Sequence, residues 1–149
     1  MDKEVLEKMA NYCSRAEHCE QDIWDKLKGY EIANGEKCEI VEWLVRERFV
    51  DNSRYARAYV KDKFQFNKWG RKKIWMMLKG KRIDESVISE AMEVIDEDKY
   101  IEVLREVIDV QRKKVKGKSE YEVKGKLYNF ALARGFEGRL ISEVLNGFF

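Results

Sequence analysis

The residues best placed to do chemistry lie between positions 54 and 82. Arg54, Arg57, Lys61, Lys63, Lys68, Arg71, Lys72, Lys73, Lys79, Lys81 and Arg82 stand there against the single acid Asp62, a local net charge of +10. Basic side chains held on a rigid frame gain from counterion release at each phosphate they approach. The competing reading is a solvated face whose charges balance acidic neighbours, where isolated surface pairs contribute only about 0 to 1 kcal/mol each. Two details favour a contact surface. Only one acid interrupts the run, and Trp75 and Met76 are interleaved with it, as in an adaptable protein contact or a base-stacking platform. Arg54, Arg57, Lys61, Lys68, Lys72 and Lys79 are the chief candidate contacts, joined by Lys81 and Arg82. Arg71 and Lys73 lie nearer the apolar faces and support packing as well.

Signals for catalysis are weak. His18 is the only histidine, no Gly-rich phosphate loop is present, and carboxylate pairs such as Asp96 and Asp98 read as helix caps and solvated acids. A nucleophile at Cys13 or Cys19 would need His18 beside it in space, which helix geometry over so short an interval disfavours. Zinc would need four ligands at recognised spacings, and Cys13, Cys19, Cys38 and His18 do not supply them. The expectation is a protein that is not an enzyme and needs no cofactor and no metal.

The overall net charge of +2 hides this organisation. Residues 1–53 carry a net of −5, residues 83–111 a net of −8 and residues 112–149 a net of +5, so a partner meets a basic middle between acidic segments. The run Arg112, Lys113, Lys114, Lys116 and Lys118 reads equally well as a second contact or as a helix end favoured by the macrodipole. Three cysteines without a CxxC pair or an apolar leader imply reduced thiols and a cytoplasmic protein. No stretch approaches the roughly eighteen apolar residues of a membrane span.

The elements that must carry these side chains are helical. The chain has no proline, 39% of its residues are charged, and no run of alternating apolar and polar residues occurs. Apolar residues recur at threes and fours in nine segments. The stripes include Val5/Met9, Ile23/Leu27, Ile40/Leu44, Ile74/Met77/Leu78, Leu104/Ile108, Val123/Leu127 and Leu140/Val144. Asp51 or Asn52 is placed to cap the fourth helix and Asp84 the sixth, while Ser119-x-x-Glu122 reads as a capping box and Gly135 as a left-handed C-cap. On a helical wheel Arg54, Arg57, Lys61 and Lys68 fall within about 60° of one another if the fourth helix runs that far, with Tyr55, Ala56, Tyr59 and Phe66 opposite.

The sequence also repeats. Ile23/Leu27, Ile74/Leu78 and Val123/Leu127 are the same pair about fifty residues apart, and Val87-Ile-Ser-Glu-Ala-Met92 resembles Leu140-Ile-Ser-Glu-Val-Leu145. A short helix pair cannot bury its stripe alone, so each unit closes with a third helix and leans on its neighbour. The expected fold is all-α: three tandem three-helix repeats over residues 1–51, 52–97 and 98–149, forming an elongated, curved array.

Phe49-Val50-Asp51-Asn52-Ser53-Arg54-Tyr55-Ala56, the later Trp69-Gly70 with Lys73-Ile74 and Leu78, and Arg134-Gly135-Phe136 together resemble RecX, a family of bacterial regulatory proteins. The resemblance covers nearly the whole chain. It implies three tandem three-helix repeats and a protein that binds the RecA recombinase filament on single-stranded DNA, suppressing ATP hydrolysis and strand exchange without catalysis. Family members are thought to lie in the filament groove or to act at its growing end. In the first unit Asn11-Tyr12-Cys13 to Glu17-His18-Cys19 replaces the family's Arg/Ser-rich junction. The expected partner is thus the RecA filament, with contact to single- or double-stranded DNA left open. A monomer without membrane contact is expected. Two rivals remain: a nucleic-acid-binding helical module acting without a recombinase, and an adaptor whose acidic ends recruit a basic partner.

Overall fold

The computed structural model describes residues 1–149 and contains nine helices and no strand. They are α1 Lys3–Arg15, α2 Glu20–Leu27, α3 Asn34–Arg46, α4 Asn52–Gln65, α5 Arg71–Gly80, α6 Glu85–Met92, α7 Glu97–Arg112, α8 Glu120–Ala133 and α9 Gly138–Phe148. None is long and apolar enough to cross a membrane.

Local chemistry sets where these helices begin. The helices α1, α4 and α7 each open on an aspartate, Asp2, Asp51 and Asp96, whose carboxylate accepts the amide three residues on at 3.1, 3.0 and 2.9 Å. An otherwise orphaned donor is satisfied each time. Asn52 is therefore the first helical residue of α4 rather than its cap. The box at α8 closes one residue early: Ser119 accepts the Glu122 amide, while the Glu122 carboxylate accepts the amide of Lys118. Asp84 holds the cap position of α6 without a side-chain bond. Asn34 and Gly35 form the first turn of α3.

Three helices end alike. After α3, α5 and α8 the chain turns through a left-handed residue, Arg48 (φ 62), Arg82 (φ 58) or Gly135 (φ 97). The next amide, of Phe49, Ile83 or Phe136, then returns to the carbonyl of Leu44, Leu78 or Ala131. This is the Schellman arrangement, with an apolar residue folded back on the helix it leaves.

The interior is divided unevenly. Val5, Met9, Ile23, Leu27, Ile40, Val41, Leu44 and Val50 form a core belonging to α1–α3. A second, larger core runs without interruption from α4 to α9, and Cys19 is the only residue before Asp51 buried in it. No hydrogen bond between side chains and no ion pair joins the first unit to the third. The units thus follow one another in a line.

Two apolar expectations do not hold. Phe66 is 72% exposed, because α4 stops at Gln65 and the chain turns before Phe66 can reach the core. Met77, expected inward, is 43% exposed, because Ile74 and Leu78 alone fill the buried stripe of α5. Tyr55, Tyr59, Trp69 and Trp75 pack half-buried along the flank of the larger core.

Candidate functional site

The basic stretch is carried by α4, by the turn after it and by α5. Arg57 and Lys61 are exposed one turn apart on α4 and have no ionic partner. Arg54, next to them on the wheel, is bound to the first unit. Its Nε lies 2.6 Å from Glu17, and its terminal nitrogens donate to the carbonyls of Arg48 and Phe49. Lys68 is not on α4 at all. It sits past the helix end with φ 55, and its ammonium meets Glu106 of α7 at 2.9 Å. The wheel placed Lys68 with Arg54, Arg57 and Lys61 on the condition that α4 ran that far, and termination at Gln65 removes it from that face.

Around α5 the side chains divide again. Arg71 lies 3.9 Å over the ring of Tyr100 and donates to Glu137 at 2.8 Å and to Glu97. The Tyr100 hydroxyl accepts the Arg71 amide at 2.9 Å and donates to Glu137. Burial first, then the hydrogen bond to Glu137, pushes this hydroxyl far above the ordinary tyrosine range, so it acts as a fixed donor. Burial works against the Arg71 charge, but the bonds to Glu137 and Glu97 outweigh it and raise its pKa. Lys79 pairs with Glu85, and Lys81 with Asp22 of the first unit at 2.7 Å. Lys72 and Arg82 are exposed and unpaired. Lys73 sets its ammonium 4.4 Å from the Trp69 ring centre, with Lys63 at 5.2 Å from the same ring.

Of the ten candidate contacts, Arg54, Lys68, Arg71, Lys79 and Lys81 thus meet carboxylates, while Arg57, Lys61, Lys72, Lys73 and Arg82 do not. The paired residues mark two junctions of different chemistry. Between the first and second units the bonds are polar: Arg54 to Glu17, Lys81 to Asp22, and Asn52, which accepts the Glu20 amide at 2.9 Å and donates to its carboxylate. His18 is also engaged here, stacked on Tyr12 and 3.3 Å from Asp22. Between the second and third units the backbones themselves meet. The Gly70 amide donates to the Arg134 carbonyl at 2.8 Å and the Lys72 amide to the Gly135 carbonyl at 2.9 Å. A Cβ on Gly70 would fall 2.3 Å from the Gly135 carbonyl carbon. Only glycine admits so close an approach.

Sequence reasoning found Trp69-Gly70 and Gly135 as motifs but not their contact. It missed the Tyr100, Glu97 and Glu137 cradle of Arg71 altogether. The available signal was small: a tyrosine on the buried stripe of α7, whose hydroxyl must find a partner inside.

The class of protein is set by these observations: an all-α array of three-helix units, the first fastened to the second by polar side chains and the second to the third by a shared core and backbone hydrogen bonds. Comparison with known proteins specifies it further. Residues 51–92 match the second three-helix domain of RecX and residues 97–145 the third. The regulatory protein RecX of Clostridium acetobutylicum is 33% identical over 134 residues, covering 87% of this chain and 62% of the relative. That of Vibrio campbellii is 30% identical over 135 residues, covering 89% and 84%. A crystal structure of RecX from Lactobacillus salivarius superposes with a TM-score of 0.87 at 20% identity, over 97% of this chain and 94% of that one. A second crystal structure of regulatory protein RecX gives 0.89 at 21%, over 96% and 72%. The chain belongs to the RecX family of regulatory proteins. It spans 59% of the Clostridium tetani relative and 62% of that from C. acetobutylicum.

Proposed function

We propose that this chain regulates a RecA recombinase without catalysis of its own, by occupying the recombinase filament on single-stranded DNA in the cytoplasm and lowering its ATPase and strand-exchange activity. The observation that carries the reading is the set of cations left without carboxylate partners between positions 54 and 82, Arg57, Lys61, Lys72, Lys73 and Arg82, on a RecX-family frame whose other five candidate contacts are held in ion pairs. A charge already paired has little left to offer a partner, whereas an unpaired ammonium or guanidinium gains by displacing counterions from a phosphate or by meeting an acidic groove surface. All five stand on or directly after α4 and α5 of the second unit, so the backbone that carries them is already ordered before binding.

The test is the DNA-stimulated ATPase of a RecA recombinase titrated with the chain. Activity should fall in proportion to added protein, and Arg57→Glu with Lys61→Glu should relieve the inhibition while leaving the helical circular dichroism unchanged. Undiminished ATPase at saturating protein rejects the proposal.

One observation favours plain nucleic-acid binding as a second reading: Trp69, edged by Tyr59 at 6.4 Å, carries two lysine ammoniums on its ring. Phosphates could draw those ammoniums away and leave the ring to a base. Titration of bare single-stranded DNA at two salt concentrations separates the readings, since only this one requires tight binding without recombinase.

A further inference from the structure

Two adjoining hollows of about 370 and 150 Å³ share Lys68 and Glu106, and together they form a groove along α7 where it faces α4 on one side and α8 on the other. Its floor is apolar. Phe64, Val94, Ile95 and Val103 line the first hollow, and Val107, Val110 and Phe130 the second. Val94 and Val110 are 46% and 49% exposed, so apolar surface is available in each half. From Lys99 to Val110 the groove follows about 17 Å of α7, the length of roughly three helical turns.

The rim has a sign. Lys61, Lys68 and Lys99 edge the first hollow, and Lys68, Lys114 and Arg134 the second. Only Asp96 and Glu106 oppose them, and both are already used: Asp96 caps α7 and Glu106 holds Lys68. Lys99 reaches Glu102 outside the groove at 3.7 Å, and Arg134 lies on the Phe130 ring while donating to the Asn67 carbonyl. Lys61 and Lys114 have no ionic partner. At the centre stands Lys68, turned through a left-handed conformation where the chain leaves α4.

We infer that this groove binds an acidic amphipathic segment of a partner protein, with two apolar anchors seated over Val94 and Val110 and carboxylates along the lysine rim. A segment carrying its own acid at the centre would take Lys68 from Glu106 and open one continuous channel. Nucleic acid fits less well, since Phe64 is buried and the Phe130 ring is covered by Arg134, leaving no open aromatic face for a base, and Glu106 would repel phosphates. The inference stands without the recombinase reading.

Panning a random-peptide display library on the full chain tests it with no recombinase present. Enrichment of sequences that place two apolar residues among several Asp or Glu is expected. Binding of a selected peptide, read by fluorescence anisotropy, should weaken roughly tenfold or more in Val110→Glu and in the pair Lys61→Glu and Lys114→Glu. It should be unchanged by Lys3→Glu on the first unit. These positions are all exposed, so the variants retain the fold, and each one serves as a check on the other. Enrichment of basic or uncharged sequences, no enrichment at all, or groove variants that lose binding of a thymidine oligonucleotide instead of the peptide would each overturn the inference.

Discussion

Gly70 and Tyr100 occupy neighbouring places in the same joint and fail in different ways. Replacing Gly70 with alanine drives a methyl group into the Gly135 and Phe136 backbone at 2.3 to 2.4 Å, where no rotamer gives relief. Gly70→Ala should cost about 3 kcal/mol in urea unfolding, the upper range for overpacking. Gly80→Ala meets nothing within 4 Å at the end of α5 and should stabilise by about 0.5–1 kcal/mol by the same measurement, through higher helix propensity and a less free unfolded chain. Tyr100→Phe keeps the ring under Arg71 but removes the acceptor of the Arg71 amide and the donor to Glu137. A loss of about 1–3 kcal/mol is expected from those unmatched groups. Part of this was readable beforehand. Glycine at 70 and 135 marks tight backbone, but the identity of the neighbour it admits depends on two segments sixty-five residues apart. No local pattern encodes that meeting.

At the scale of helices and units, legibility followed the range of the interaction. Stripes repeating at threes and fours, aspartates at helix starts and the glycine of the left-handed end at 135 are local, and nine helices follow from them, whereas the left-handed turns at Arg48 and Arg82 carry no glycine to mark them. Arg54 with Glu17, Lys81 with Asp22 and Arg71 with Glu137 are fixed only when units stack, so a chain scan counts their charges as free. The joint between the first and second units should respond to acid for this reason. Burial opposes the Asp22 charge, but Lys81, the Cys19 amide and His18 together hold its pKa below the ordinary 3.8. Its folded value lying under its unfolded value, the stabilisation is complete at neutral pH and fades as pH falls below about 4 through the depressed value. Amide hydrogen exchange should show α2 losing protection in that window before α5 or α8. A double-mutant cycle of Asp22→Asn with Lys81→Ala should return a coupling of about 0.5–1 kcal/mol, because Lys81 remains partly exposed.

For the whole molecule, the pairing of five candidate cations alters what a binding experiment should read. If all ten neutralised phosphates on a single strand, the logarithm of affinity would fall against that of salt with a slope near −7, whereas the five unpaired residues give a slope near −3.5. A fluorescence titration across several salt concentrations distinguishes these values, and a slope near −7 would mean that the ion pairs open on binding. The two fastenings also differ in stiffness. One is a continuous core with backbone bonded to backbone, while the other is a set of polar side chains and the single buried Cys19, with a separate core on its far side. One end of the molecule can therefore move while the rest stays firm, and the ionic strength of the surroundings sets how freely the first fifty residues swing.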